Sequence, residues 1–237
     1  MQIVQQILFT LLTAAAVFIF TKNILRIRRN IRIGRNEEIS DQKALRWNNV
    51  LLLAFGQKKM FRNPLVGVLH FLVYAGFIII NIEVLEIVLD GLLGTHRLFA
   101  GALGSFYIFL INAFEILAIL VVVSCVIFLL RRNVIKLRRF ISNDLAGWPY
   151  SDANYILITE IVLMSLFLLM NASDTLLQSR GAAHYAGANT GNFIISQSLH
   201  PLLSGLSESA LISIERICWW LHIAGIFAFL YYLPYSK

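Results

Sequence analysis

Two histidines stand inside long apolar runs, His70 in LVGVLHFLVYAGF and His222 in CWWLHIAGIFAFL. A neutral imidazole gives one ring nitrogen to a metal. Two imidazoles on separate helices can ligate the two faces of a haem b iron, provided the helices leave an apolar slot for the ring. At about 100° per residue, His70 shares a helix face with Gly67, Tyr74, Phe77 and Asn81, and His222 shares one with Glu215, Cys218, Trp219, Gly225 and Phe229. A glycine one turn from each histidine would let a flat macrocycle approach the backbone, and Trp219 would pack its edge. Arg216 would neutralise a propionate. Depth is the weak point of the pairing. At about 1.5 Å per residue, His222 lies about 16 Å from Leu233 and His70 about 8 Å from Leu65. The mismatch shrinks if the helix of His70 enters lipid near Met60. A lone histidine in such a run is as well explained by a hydrogen bond to a neighbouring carbonyl or hydroxyl, but two on spans that can be neighbours favour ligation.

Carboxyl groups form the second constellation. Glu83, Glu86 and Asp90 follow His70 on one run, His96 comes just after it, and Glu115 lies in the next. Ionisable groups are costly inside a bilayer and mark sites of function there. These five are candidates for proton transfer. The bland alternative makes the three clustered acids a solvated helix end, His96, His184 and His200 loop decoration, and Glu215 with Arg216 a local pair. The Trp219, Trp220, Tyr231 and Tyr232 cluster equally suits packing or an interface.

The elements that must position these groups are membrane helices. The chain is 58% hydrophobic and 14% charged, with a mean hydropathy of +0.73, which is too apolar for a soluble domain of its 237 residues. A span needs about 20 apolar residues. Five stretches qualify, at 3–21, 65–89, 100–130, 155–171 and 211–233, and no period-2 alternation suggests a barrel. The expectation is an all-α, five-helix transmembrane bundle forming a single domain over 1–237.

Basic residues crowd the connection at 22–63, and Arg131, Arg132, Lys136, Arg138 and Arg139 follow the third span. Only Arg97, Arg180 and Arg216 fall on the opposite side. The positive-inside rule then sets the N-terminus out and the C-terminus in. The net charge of +7 is therefore first a topology signal, and nucleic acid is a poor partner for cations beside membrane spans. MQIVQQ lacks the basic start of a signal peptide, so the first run reads as a retained anchor. ALRWNNVLLLAFGQKK suits a helix lying in the interface, and GAAHYAGANTGN a lid on the outer face. Cys125 and Cys218, on different spans, read as small hydrophobes, because zinc and iron-sulfur sites need several thiolates.

The runs GQKKMFRNPLVGVLHFLVYAGFIIINIEVLEIVLDG, GTHRLF, RRNVIKLRRF, WPYSDANYILITEIVLM and ERICWWLHIAGIFAFLYYLPYSK together resemble a known membrane domain. It is the cytochrome b domain at the N-terminus of bacterial iron-sulfur oxidoreductases, related to the heterodisulfide reductase membrane subunit and the respiratory nitrate reductase gamma subunit. The resemblance covers nearly the whole chain. It implies a bacterial inner-membrane module that passes electrons between membrane quinone and a cytoplasmic iron-sulfur domain or subunit, as part of or partner to a longer protein. It also implies at least one haem b, with His70 and His222 as the axial ligands of one haem. Nitrate reductase gamma subunits carry two histidines on each ligand helix, whereas this chain has one on each. The competing class is a transport or anchoring module with structural histidines, against which stand the lack of inverted repeats and broken helices.

Overall fold

The computed structural model describes residues 3–35, 40–137, 140, 147–187, 190–191 and 193–235. Arg138 and Arg139, and part of the expected lid at 188–189 and 192, lie outside them. The described residues are helical, with no strand among them. Five helices are long and apolar enough to cross a membrane.

The first, α1 (Ile3–Ile31), is a long, mostly exposed rod whose buried residues are Phe9 and Asn23. A short helix α2 (Lys43–Asn49) continues as a π-helical turn, Val50–Phe55, with no residue buried. Leu45, Trp47, Leu51 and Phe55 are all exposed, the surface expected of a segment lying in an interface. The 3-10 turn Met60–Arg62 then precedes α3 (Pro64–Leu93). Asn63 is extended at φ −113°, its side chain accepts from the Val66 N–H, and Pro64 takes the first helical position. A continuous helix from Met60 is therefore not formed. Gly94, at φ +72°, ends α3.

The span expected at 100–130 is divided. A short helix α4 (Leu98–Leu103) stops at Gly104, whose φ of +54° and ψ of −127° suit only glycine, and α5 starts at Ser105. It runs as Ser105–Leu129 and on through a π-helical turn to Val134. The fourth long helix, α6 (Trp148–Ser179), extends beyond the expected 155–171 at both ends. The short α7 (His200–Leu203) leads to α8 (Glu208–Tyr232), which is N-capped by Ser207.

The long helices form a ring in which α3 packs on α5, α5 on α6, α6 on α8, and α1 closes the circuit between α8 and α3. Phe9 is the rivet of that closure. It is fully buried, its ring lies 5.2 Å from that of Trp219 and 6.2 Å from that of Phe227, and it sits over Gly91 where a Cβ would meet it at 2.4 Å. No extended contact joins α3 to α8. The end bearing the basic connections is called here the basic end, and the other the far end.

Candidate functional site

His222 lies in the middle of α8 and is 1% exposed. Its Nδ1 is 2.9 Å from the Leu163 carbonyl oxygen on α6. A carbonyl only accepts, so Nδ1 carries the proton and Nε2 presents its lone pair. The ring borders a cavity between α3, α6 and α8, whose polar lining is Asn81, Glu160 and His222. The rest of the wall is apolar, with Ile80 and Val84 on α3. Phe77 and Phe229 face each other across the α3–α8 gap, with ring centroids 6.3 Å apart.

That aromatic pair sets the register of the two antiparallel helices. His70 is seven residues before Phe77, toward the basic end, and His222 seven residues before Phe229, toward the far end. At about 1.5 Å per residue the two imidazoles are separated by about 21 Å along the bundle. The cavity lining agrees, since it pairs His222 with Ile80 and Val84 and does not include His70. This register does not support the expectation that His70 and His222 ligate one haem. Axial ligands must meet a single iron from both sides, and this packing holds them at different levels. His70 has its Nδ1 buried without a hydrogen-bond partner. The glycines beside the two histidines serve helix packing. A Cβ at Gly67 would meet the Phe61 backbone at 2.9 Å, and one at Gly225 the Leu163 side chain at 2.7 Å.

Toward the far end the bundle encloses a second constellation, centred on Arg97. This residue adopts φ +54°, a conformation that costs a side chain energy, and its interactions hold it there. Its backbone N–H donates to Asp90 Oδ2 at 2.8 Å. Its guanidinium, 6% exposed, donates to Glu83 Oε1 and Asp174 Oδ2 at 3.0 Å each, to Asn171 Oδ1 at 2.6 Å and to the Tyr107 hydroxyl at 3.4 Å. Burial by itself would disfavour the charge, but Tyr107, Asp174, Glu83 and Glu86 hold the Arg97 pKa well above its ordinary value.

Four of the five acid-base candidates from the sequence meet here. Glu83 ion-pairs with Arg97 and leaves Oε2 buried without a partner. Glu86 accepts from the Tyr107 hydroxyl at 2.7 Å and the Phe99 N–H at 2.8 Å. Asp90 organises the turn into α4 through Thr95, Arg97 and Leu98. His96 Nε2 lies 3.1 Å from Asp174 Oδ1. Glu115, the fifth, joins through Asn171 Nδ2 at 3.2 Å and holds the incoming loop by accepting from the backbone N–H of Ile195 and Ser196 and from the Ser196 hydroxyl.

Glu215 and Arg216 do pair side by side on α8. Glu215 also accepts from the Tyr185 hydroxyl at 2.8 Å, and the Arg216 guanidinium lies 5.5 Å above the Trp219 ring. Glu215 and Trp219 line a small crevice together with Asp90, His96, Arg97 and Asp174. Sequence reasoning missed Tyr107, Asn171 and Asp174, and it placed Arg97 in a loop. The polar run NASDT at 171–175 was the signal that α6 carries more than apolar packing. Among the described residues, no group of three or more His, Cys, Asp or Glu is placed to hold a metal ion.

No protein-family profile matches the chain, and no solved structure matches it. Two curated proteins are similar. The chain is 26% identical over 235 residues, 99% of its length, to the "probable iron-sulfur-binding oxidoreductase FadF" of Bacillus subtilis strain 168. It is 23% identical over 210 residues, 86% of its length, to the "EtfAB:quinone oxidoreductase" of Syntrophomonas wolfei. The matches cover 31% and 27% of those proteins, so the chain spans about a third of their length or less.

Proposed function

We propose that this five-helix chain is the membrane module of a quinone-linked iron-sulfur oxidoreductase in the bacterial inner membrane. Its N-terminus lies outside, and its basic end faces the cytoplasm, where an iron-sulfur domain or subunit docks. The observation that carries the reading is similarity along 99% of the chain to a protein named as an iron-sulfur-binding oxidoreductase. The second relative adds quinone by name. Oxidation of a quinol to a quinone breaks two O–H bonds and releases two protons and two electrons. The electrons pass to the iron-sulfur partner, and the protons need acceptors. The network around Arg97 offers Glu83, Glu86, Asp90, Asp174 and Glu115 as such groups, with His96 at its edge. Run in reverse, the same groups supply protons to a quinone. Haem b ligated jointly by His70 and His222 has no part in this reading, because the register does not fit it.

The test uses membranes that carry the chain with its iron-sulfur partner. Addition of a naphthoquinol should reduce the partner's clusters, seen as bleaching of their visible absorbance, and membranes lacking the chain should not respond. Cluster reduction that proceeds equally without the chain overturns the proposal.

A further inference from the structure

The cavity beside His222 is built unlike the rest of the bundle. No extended contact joins α3 to α8 across the bundle, and the cavity lies where they face each other, with a volume of about 110 Å³. Phe77, at 47% exposed, stands at its mouth, so entry is lateral, from lipid. Inside, two protonatable groups interrupt an apolar wall. His222 keeps its Nε2 lone pair available, its other nitrogen being committed to Leu163. Glu160 is 9% exposed and makes no hydrogen bond or ion pair among the described residues. An unpaired carboxyl group is costly in such surroundings, and helix packing gives no reason to keep one there.

Glu160 lies three residues before Leu163 on α6, so the two groups stand about 4.5 Å apart along the bundle. An apolar slot that opens to lipid and carries two hydrogen-bonding groups at different heights matches a flat ring with an oxygen at each end and a greasy tail. Val84 in the wall is the chain neighbour of Glu83, a member of the Arg97 network.

We infer that this cavity seats the quinone headgroup, with His222 Nε2 accepting from one hydroxyl of the reduced ring and Glu160 hydrogen-bonding the oxygen at the other end. The inference rests on the quinone-linked reading above and gives it a location, in the middle of the bundle and not at the far end.

The purified chain in lipid nanodiscs, titrated anaerobically with a naphthoquinol bearing a short isoprenoid tail, tests this through quenching of tryptophan fluorescence. Glu160→Leu and His222→Leu should each weaken binding about tenfold, the loss of one good hydrogen bond. Ile80→Trp, which fills the slot from the opposite wall, should abolish it. A diazirine on the quinone ring supplies a readout that needs no variant. It should label 76–84, 160–164 and 222–233, and excess unlabelled quinone should compete. Unchanged binding in all three variants overturns the inference, as does labelling confined to the region of His96. Labelling that quinone does not compete shows an acyl chain in the slot and overturns it too. A folded wild-type chain that binds no quinone refutes the quinone-linked reading itself, and so the two failures are distinguishable.

Discussion

Replacing Arg97 by leucine removes the one guanidinium that joins α3, α5 and α6 at the far end. Two carboxylates, Glu83 and Asp174, lose ion pairs of 3.0 Å, and Asn171 loses a 2.6 Å hydrogen bond. Both carboxyl side chains are 1% exposed, so water cannot stand in for the lost partner without opening the bundle. Leaving a buried charge uncompensated costs about 3–5 kcal/mol, a large share of the stability of an ordinary domain. Arg97→Lys keeps a charge but not a planar fork with several donors, and should lose about 1–3 kcal/mol. Removing Glu83 as well should recover part of the deficit, with a coupling of about 0.5–3 kcal/mol, because the orphaned acid leaves with its partner. Unfolding in detergent, followed by tryptophan fluorescence, measures all three variants. An Arg97→Leu protein within about 1 kcal/mol of wild type would refute the argument that this network holds the far end together.

Four further outcomes follow from the packing. Gly91→Ala should destabilise the bundle by about 1–3 kcal/mol, since its new methyl group would overlap Phe9; proteolysis of α1 in the folded variant reports whether that helix loosens. His200 Nε2 lies 2.9 Å from Thr175 Oγ1, and desolvation holds its pKa below the ordinary 6.5. The folded state therefore resists a proton that the unfolded chain accepts, and stability contributed above pH 6.5 should fall as the pH drops through the depressed folded value. Melting curves across that window, repeated with His200→Gln, check the sign. His70→Ala and His222→Ala should not both remove one b-type signal from the reduced-minus-oxidised spectrum of the haem-supplied protein, and identical loss in both would contradict the separation of about 21 Å over about fourteen residues. Finally, cysteines placed in the connection at 57–59 should react with membrane-impermeant maleimide only after the membrane is broken, as the proposed orientation with the basic end inward requires.

The five spans were legible because bilayer thickness imposes a length that composition reveals directly. Their ends were less so: α1 continues past Thr21 through Arg26 and Arg28, which are good helix formers whose charges stay exposed, and only the backbone conformation of Gly104 shows where α4 breaks from α5. The acids of the far-end site could be named from their cost in lipid. Their counter-ion could not, because Arg97 looks like a loop cation until the turn after α3 folds it inward, and Asp174 lies past the apolar part of α6. The level of one helix against another was the least readable quantity. It depends on which side chains interlock, and here the Phe77–Phe229 contact sets His70 and His222 about 21 Å apart, well beyond the roughly 8 Å mismatch that counting along their runs gives.

The depth of the Arg97 network has an electrical consequence. Glu83 lies ten residues before Leu93, the end of α3, or about 15 Å along the axis. A 30-residue helix is about 45 Å long and overhangs a hydrocarbon core of about 30 Å by about 7 Å at each end if seated evenly. Glu83 then sits about 8 Å inside the insulating layer, roughly a quarter of the way across. A proton exchanged between it and far-side water moves through that fraction of the transmembrane field, worth about 0.6 kcal/mol per 100 mV. The proton transfer proposed for this site would therefore be sensitive to membrane voltage, with energised membranes opposing release and favouring uptake when the far side is positive.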